Sequence, residues 1–175
     1  HMNTDKVTAT VSTKGRYHST FPLVLTSLAN QTLKPSRLII YDDNDELEDL
    51  RENEIYKNLF TLLNRVGINW EVKLGGRKGQ IHNHQQALRD VTSEWIWRLD
   101  DDNVMETNTL QELYNYAISD SKIGAVGPLI LDPKSDIKHS MASNKMEDIF
   151  LGLNIQWCNV DLHQFIEVDH LQGST

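Results

Sequence analysis

Three consecutive carboxylates, Asp100, Asp101 and Asp102, directly follow a nearly apolar run and could hold a metal ion. Side chains alternate in direction along an extended chain, so Asp100 and Asp102 are expected to point the same way. Two carboxylates on one side suit a hard divalent cation, which could bind substrate phosphates and neutralise a departing diphosphate. The triplet is not an EF-hand loop, because Met105 stands where that loop requires glycine. An ordinary capped turn between a strand and a helix is the alternative.

A second acidic pair, Asp42 and Asp43, ends another short apolar run. A carboxylate there can accept a hydrogen bond from a nucleobase N–H or from a ribose hydroxyl. The alternative is that the pair opens a solvated acidic stretch that continues to Glu54, since acidic residues stabilise the beginning of a helix. Asp43 is the better candidate for binding because it lies at the edge of the predicted strand.

Two basic residues, Arg77 and Lys78, lie in a glycine-rich loop of an acidic chain. Glycines let the backbone approach a ligand, and cationic side chains suit phosphates. The loop has neither the P-loop pattern nor the G-x-G-x-x-G pattern. On these residues alone, a solvated basic loop is favoured over a phosphate site.

Short apolar strands alternate with amphipathic helices along most of the chain. This alternation predicts an α/β fold with a mostly parallel sheet covered by helices on both faces. Ligands of such sheets bind at the carboxyl ends of the strands. Four polar clusters lie at those predicted ends: 12–16, 42–45, 75–78 and 100–103.

The elements that position these clusters can be bounded from the sequence. The predicted strands are 7–11, 37–41, 70–74, 95–99 and 123–131, followed by 154–160 and 165–169 as an antiparallel part. A helix is predicted after Ser19 or Thr20, with Pro22 in its first turn. The apolar faces predicted for the next two helices are Ile55, Leu59, Leu62, Leu63 and Val66, and then Ile81, Gln85 and Leu88.

Composition excludes several classes of protein. The chain has 175 residues and a net charge of −8, which favours one domain and argues against a general nucleic-acid binder. No apolar run approaches the roughly 18 residues of a membrane-spanning helix, and the single Cys158 excludes a disulfide scaffold. His1-Met2 is typical of a cloning remnant rather than of a signal peptide. We expect a cytoplasmic protein that is truncated at its C-terminus, because Thr175 directly follows a strand-like run.

Four segments carry a family resemblance when they are taken together. The first is 9–16 with the later Gln31-Thr32, which is similar to "S-L-x-x-Q-T", and the second is 38–44, which is similar to "V-D-D-G-S". The third consists of Gly79, Asn83 and Ala87 and is similar to "G-x-x-x-A-x-N-x-A". The fourth is 97–102, which is similar to "D-x-D". In order and spacing, these segments resemble family 2 glycosyltransferases of the GT-A fold. The resemblance covers residues 7 to 131 well and 132 to 175 loosely.

The resemblance implies a GT-A-type, Rossmann-like three-layer sandwich with a small antiparallel C-terminal part. It implies inverting transfer of a sugar from a nucleotide-diphosphate donor, a UDP-sugar above all, to a hydroxyl of a saccharide or other acceptor. The implied cofactor is Mn²⁺ or Mg²⁺. The site residues carried over are Thr10, Ser12 and Arg16 at the nucleoside, Asp43 at the base, Arg77 and Lys78 at the nucleotide, Asp100 at the ribose or the metal's waters, Asp101 also on the substrate, and Asp102 on the metal.

Two departures from the family pattern concern the third segment and the end of the chain. Ile81 and His82 stand where the family has arginine, which removes a phosphate contact there. The family's general base lies on a loop after an acceptor-side strand that 168–174 resembles. We therefore expect the base to lie beyond residue 175, so that this protein binds donor without turning it over.

Two rival functions remain open on the residues alone. A nucleotidyltransferase also uses an α/β sheet and metal-holding carboxylates, although 12–16 is a poor version of its basic, glycine-rich loop. A non-catalytic nucleotide-binding module would bind nucleotide without turnover under all conditions.

Overall fold

The computed structural model describes residues 2–44, 48–74 and 79–121, together with two short strands further along the chain. The chain divides into two compact units, residues 1–111 and 112–175. In the second unit, the described strands β5 (Glu147–Asp148) and β6 (Leu153–Asn154) pair antiparallel.

The first unit is built on a four-stranded parallel sheet with the strand order β3-β2-β1-β4. Its α/β class and its parallel sheet confirm the sequence-based prediction. The strands are β1 (Met2–Thr13), β2 (Leu33–Asp42), β3 (Asn69–Leu74) and β4 (Trp95–Asp100). The helices are α1 (Phe21–Ala29), α2 (Glu54–Arg65) and α3 (Gly79–Asp90), with a 3₁₀ turn at Leu50–Glu52 and, at the border of the two units, α4 (Thr109–Ala117).

Strand β1 lies in the middle of the sheet, and residues 7–11 are buried throughout. This explains why the strand has a continuous run of β-branched and small residues rather than an alternating pattern. Ser12 lies opposite Tyr41 of β2 on one side and opposite Asp100 of β4 on the other. The carboxyl ends of three strands therefore meet at one edge.

Helices cover both faces of the sheet, as the prediction of a three-layer arrangement requires. On one face, Ala87 of α3 packs against Ile39 and Tyr41. On the other face, the ring of Phe60 in α2 stacks on Trp70, with 4.0 Å between ring centroids. Alternation along β2 and β3 sets these two contacts on opposite sides, because Trp70 pairs with Leu38 and not with Ile39.

The predicted buried face of α2 was right at Leu63 and wrong at Ile55 and Leu62, and the predicted face of α3 was wrong. In α2, Tyr56, Phe60 and Leu63 are buried, whereas Ile55 is 58% exposed. The Tyr56 hydroxyl donates to the backbone oxygen of Tyr17 at 2.7 Å, which fixes the rotation of the helix about its axis.

Helix α3 turns a different side to the sheet from the one predicted. Asn83 and Ala87 are buried, and Leu88 is 71% exposed. A small alanine and a hydrogen-bonding asparagine permit close approach to the strands, which a leucine at the same place would prevent.

Strand β2 begins earlier than predicted and includes Lys34 and Pro35. Strand β1 also begins early, and its residues 2–4 pair with 33–35 before a register irregularity between Thr4 and Thr8. The buried Lys34 ammonium donates to the Gln31 backbone oxygen at 2.5 Å, and burial lowers its pKa. The predicted strands 123–131 and 165–169, and 154–160 beyond Asn154, lie outside the described residues.

A polar network fastens the C-terminal end of α3 to the sheet. The Asp90 carboxylate accepts hydrogen bonds from the Tyr41 hydroxyl at 2.8 Å and from the Gln86 amide at 3.0 Å, and it pairs with the Lys73 ammonium at 2.8 Å. Burial alone would raise the pKa of Asp90, but the donors Lys73, Gln86 and Tyr41 outweigh it and lower the pKa to about 2. The network therefore favours the ionised carboxylate.

This network predicts an acid-dependent contribution to stability. A folded-state pKa of about 2 against about 3.9 in the unfolded chain gives a contribution of about 2–3 kcal/mol, fully present above about pH 5 and lost as the pH falls towards 2. Asp90→Asn removes the carboxylate, so we expect the free energy of unfolding in urea to fall by about 2–3 kcal/mol at pH 7. The difference between the two proteins should shrink towards pH 2, and a difference that stays constant with pH would contradict this assignment.

Candidate functional site at the carboxyl edge of the sheet

One asparagine of α3 joins the carboxyl ends of β1 and β2. The Asn83 amide donates to the Ser12 hydroxyl at 2.7 Å and to Asp43 Oδ2 at 2.6 Å. Asp43 is 3% exposed, and its other oxygen, Oδ1, is buried with no hydrogen-bond partner among the described residues. A buried, unpaired carboxylate oxygen is costly, so this atom is an acceptor that a ligand donor would satisfy.

Asn44 ties the loop after β2 to the loop after β1. Its side-chain oxygen accepts from the backbone N–H of Gly15 at 2.5 Å, and its amide donates to Asp42 Oδ1 at 2.8 Å. Gly15 has φ of +69°, a left-handed conformation that glycine adopts without steric cost. The Tyr17 hydroxyl donates to the second oxygen of Asp42, and burial, followed by the Asp42 charge, raises the pKa of Tyr17 far above its usual value. The neutral side chains of Asn44 and Tyr17 and the Asp42 carboxylate therefore hold the two loops together.

The three carboxylates of the acidic triplet have different partners. Asp100 accepts from the Asn103 amide at 3.2 Å, and Asp102 lies 3.8 Å from the Arg16 guanidinium. Asp101 Oδ2 instead accepts from the Thr13 hydroxyl at 3.0 Å and from the Lys14 backbone N–H at 3.2 Å. Asp101 is therefore joined to the end of β1, Asp102 lies beside Arg16 in the loop that follows β1, and Asp100 is bonded to Asn103.

Burial and the neighbouring negative charges act together on Asp100. Burial raises the pKa of Asp100 to about 6, helped by the negative charges of Asp102 and Asp101 and opposed by Arg98. Excess negative charge of this kind is relieved by a divalent cation.

The residues that the structure describes form no metal site made of protein ligands alone. Within 2–44, 48–74 and 79–121, no three His, Cys, Asp or Glu side chains converge in a way that could hold an ion. One carboxylate can still bind a hard cation when substrate phosphates and waters supply the remaining oxygens. The donor set at Asp100 and Asp102 fits that kind of shared site in its chemistry, since both offer carboxylate oxygens and the charge of Asp102 acts on Asp100.

The sequence of the site region decides which family this is. Residues 10–163 match the family described as "Glycosyl transferase family 2". This span includes Ser12, Asp43, Asn83 and the acidic triplet. The chain belongs to glycosyl transferase family 2. The predicted family is confirmed, and its members generally use divalent metals.

Among solved structures, the crystal structure of S. aureus TarS matches this family 2 chain with 18% sequence identity and a TM-score of 0.48. The match covers 63% of this chain and 19% of TarS. No curated protein matches the chain significantly.

The structure brings together most of the site residues that were expected from the resemblance to family 2. Ser12 and Asp43 share Asn83, and Arg16 lies beside Asp102. Thr10 is buried at 3% exposure and lies two residues below Ser12 on the same side of β1. Arg77 and Lys78 fall outside the described residues.

Two residues at this family 2 site were given no role from the sequence. Asn83 was noted only as part of a segment, although it joins Ser12 to Asp43. Arg98 lowers the pKa of Asp100, and strand alternation could have revealed it because 98 and 100 share one side of β4.

In the described part of the chain we find no helix with the length and hydrophobicity that a membrane crossing requires. The cytoplasmic location stays a prediction.

Proposed function

We propose that this family 2 protein binds a nucleotide-diphosphate sugar at the carboxyl edge of its sheet, and that the activity it serves is inverting transfer of the sugar to an acceptor hydroxyl. Family membership supports the class of reaction. The observation that carries donor binding is Asp43 Oδ1, which is buried and has no hydrogen-bond partner among the described residues. The other oxygen of Asp43 accepts from the Asn83 amide at 2.6 Å. The acceptor is a saccharide or another hydroxyl compound.

Asp43 favours a base that presents an N–H group. Uracil offers its N3–H to a carboxylate oxygen, whereas cytosine has an acceptor at the same ring position and would repel it. Asn83 holds Asp43 Oδ2, which leaves Oδ1 for the base. For the base to reach Oδ1, the site must open slightly beside this atom, because Oδ1 has almost no exposed surface. This chemistry favours UDP over CDP. Guanine and thymine also present a ring N–H, so the choice of UDP among these bases rests on the family resemblance.

The remaining groups suit the ribose and the phosphates. Ser12 and Asp100 are register partners on neighbouring strands, so a ribose beside the base reaches both, with Thr10 beneath Ser12. Arg16 is a cation beside Asp102 of the acidic triplet, and Arg77 and Lys78 join it on the family resemblance. Asp102 would hold Mn²⁺ or Mg²⁺, which supplies positive charge for a diphosphate leaving group.

Thermal unfolding with nucleoside diphosphates tests this proposal. We expect UDP with Mn²⁺ to raise the melting temperature by roughly 5–10 °C, because ligand at 100 times its Kd adds about 2.7 kcal/mol to a domain of this size. CDP should give a smaller shift, and chelator should abolish most of the UDP shift.

Asp102→Ala should remove the Mn²⁺-dependent part of the UDP shift. Asp5→Ala is the matched control, because Asp5 is an exposed carboxylate near the start of β1. No shift with UDP, GDP, CDP or dTDP, in Mn²⁺ or in chelator, would refute donor binding by this chain.

A further inference from the structure

Asp101 joins two segments of the site that are far apart in sequence. Its Oδ2 accepts from the Thr13 hydroxyl at 3.0 Å and the Lys14 N–H at 3.2 Å, across 88 and 87 residues. Its backbone oxygen accepts from the Thr20 hydroxyl at 2.8 Å. Thr20 precedes α1 but makes no side-chain cap, so its hydroxyl serves this connection instead.

The two joined segments carry different parts of the proposed donor site. Thr13 and Lys14 lie between Ser12 and Arg16, on the nucleoside side. Asp101 lies between Asp100 and Asp102, on the cation side. A displacement of either segment is transmitted to the other through the Asp101 carboxylate.

We propose that Asp101 is a positioning residue that couples cation binding to nucleotide binding, an inference that rests on the proposed function. A nucleotide diphosphate spans both segments, with its base near Asp43 and its phosphates near Asp102. Cation and nucleotide therefore strengthen each other's binding only if the segments are held in register. When the connection is cut, each ligand still meets its own side, but part of the mutual enhancement is lost.

The coupling can be tested by substitutions at Thr13, a residue that does not contact the ligand in this proposal. Its side chain is buried, with 1% exposure, so the Thr13 hydroxyl acts through Asp101 and not on a nucleotide. Thr13→Val removes one of the two hydrogen bonds to Oδ2, while Thr13→Ser keeps it.

The alternative is that Asp101 contacts the cation or the substrate itself, as the sequence suggested. Asp101→Asn distinguishes the two roles. An asparagine oxygen can still accept from Thr13 and Lys14, so a positioning role survives the change. A direct contact with a cation needs the negative charge and does not survive it.

The experiment is titration calorimetry of the full chain with UDP, in Mn²⁺ and in chelator, and with Mn²⁺ alone. The measured quantity is the ratio of the two UDP dissociation constants. We expect Asp101→Ala to reduce this ratio about tenfold and Thr13→Val about threefold, within the usual range of coupling between sites. Asp101→Asn, Thr13→Ser and the control Asp5→Ala should keep the ratio within about twofold of the unchanged protein.

Each outcome decides between the roles. Loss of coupling in Asp101→Asn equal to that in Asp101→Ala would assign Asp101 to direct ligand contact and overturn the positioning role. Full coupling in Asp101→Ala would overturn it too, and if that variant does not fold, full coupling in Thr13→Val has the same meaning. If the unchanged protein binds no UDP in either condition, the proposed function and this inference are both refuted. Metal-dependent UDP binding that no variant alters refutes the inference alone.

Discussion

Asp43→Asn is expected to weaken UDP binding in Mn²⁺ about 10- to 100-fold, measured by titration calorimetry. A hydrogen bond to a charged group contributes about 1.5–3 kcal/mol when it is buried. The asparagine can still accept from Asn83 with its oxygen, but its amide then replaces the unpaired Oδ1 of Asp43. The N–H of uracil would meet another N–H group, and the pair would repel.

The same substitution should change the preference between bases. The asparagine amide can donate to the ring nitrogen of cytosine, so we expect the UDP-over-CDP ratio of affinities to fall and CDP binding to improve. Asp5→Asn makes the same chemical change on an exposed strand residue and should alter neither affinity. Equal losses for UDP and CDP in Asp43→Asn would show that Asp43 supports the fold and does not read the base.

Gln31→Leu should lower the free energy of unfolding by about 3 kcal/mol and the melting temperature by roughly 10 °C. Gln31 is buried, and its amide donates to the backbone oxygens of Ser27 at 3.1 Å and Glu106 at 2.7 Å. Its side-chain oxygen accepts from the backbone N–H of Leu110 at 3.1 Å. Leucine fills the same space but leaves buried backbone groups unpaired.

Gln86→Leu is the matched control for the Gln31 substitution. Gln86 is partly exposed and makes one hydrogen bond, to Asp90, so the same change there should cost less than about 1 kcal/mol. Similar losses at both positions in thermal unfolding would contradict the role given to Gln31. The hydrogen bonds of Gln31 also give physical meaning to a residue that the sequence offered only as part of a family pattern.

The parallel sheet and its edge could be predicted because strand alternation and polar strand ends are local features of the sequence. The buried face of α2 could be predicted only at Leu63, since two stripes have the same helical spacing. Ile55, Leu59 and Leu62 lie one position before Tyr56, Phe60 and Leu63. Periodicity gives both stripes equal weight, and only the contacts of the aromatic rings with Tyr17 and Trp70 select the second.

The partners within the site were also beyond prediction from the sequence. Nothing local to Asn83 indicates that its amide meets Asp43, 40 residues earlier in the chain. Likewise, alternation places Asp101 opposite in direction to Asp100, but it does not say that Thr13 occupies that side. Such contacts depend on the register of strands that pair across long separations, which residue patterns constrain only weakly.

The central place of β1 has a consequence for how this protein is made. This strand leaves the ribosome well before its second neighbour, β4, which is not synthesised until residues 95–100. At about 5–20 residues per second, the nascent chain carries an apolar strand with one unpaired edge for several seconds. During translation, that edge is a natural target for chaperones that hold extended apolar segments.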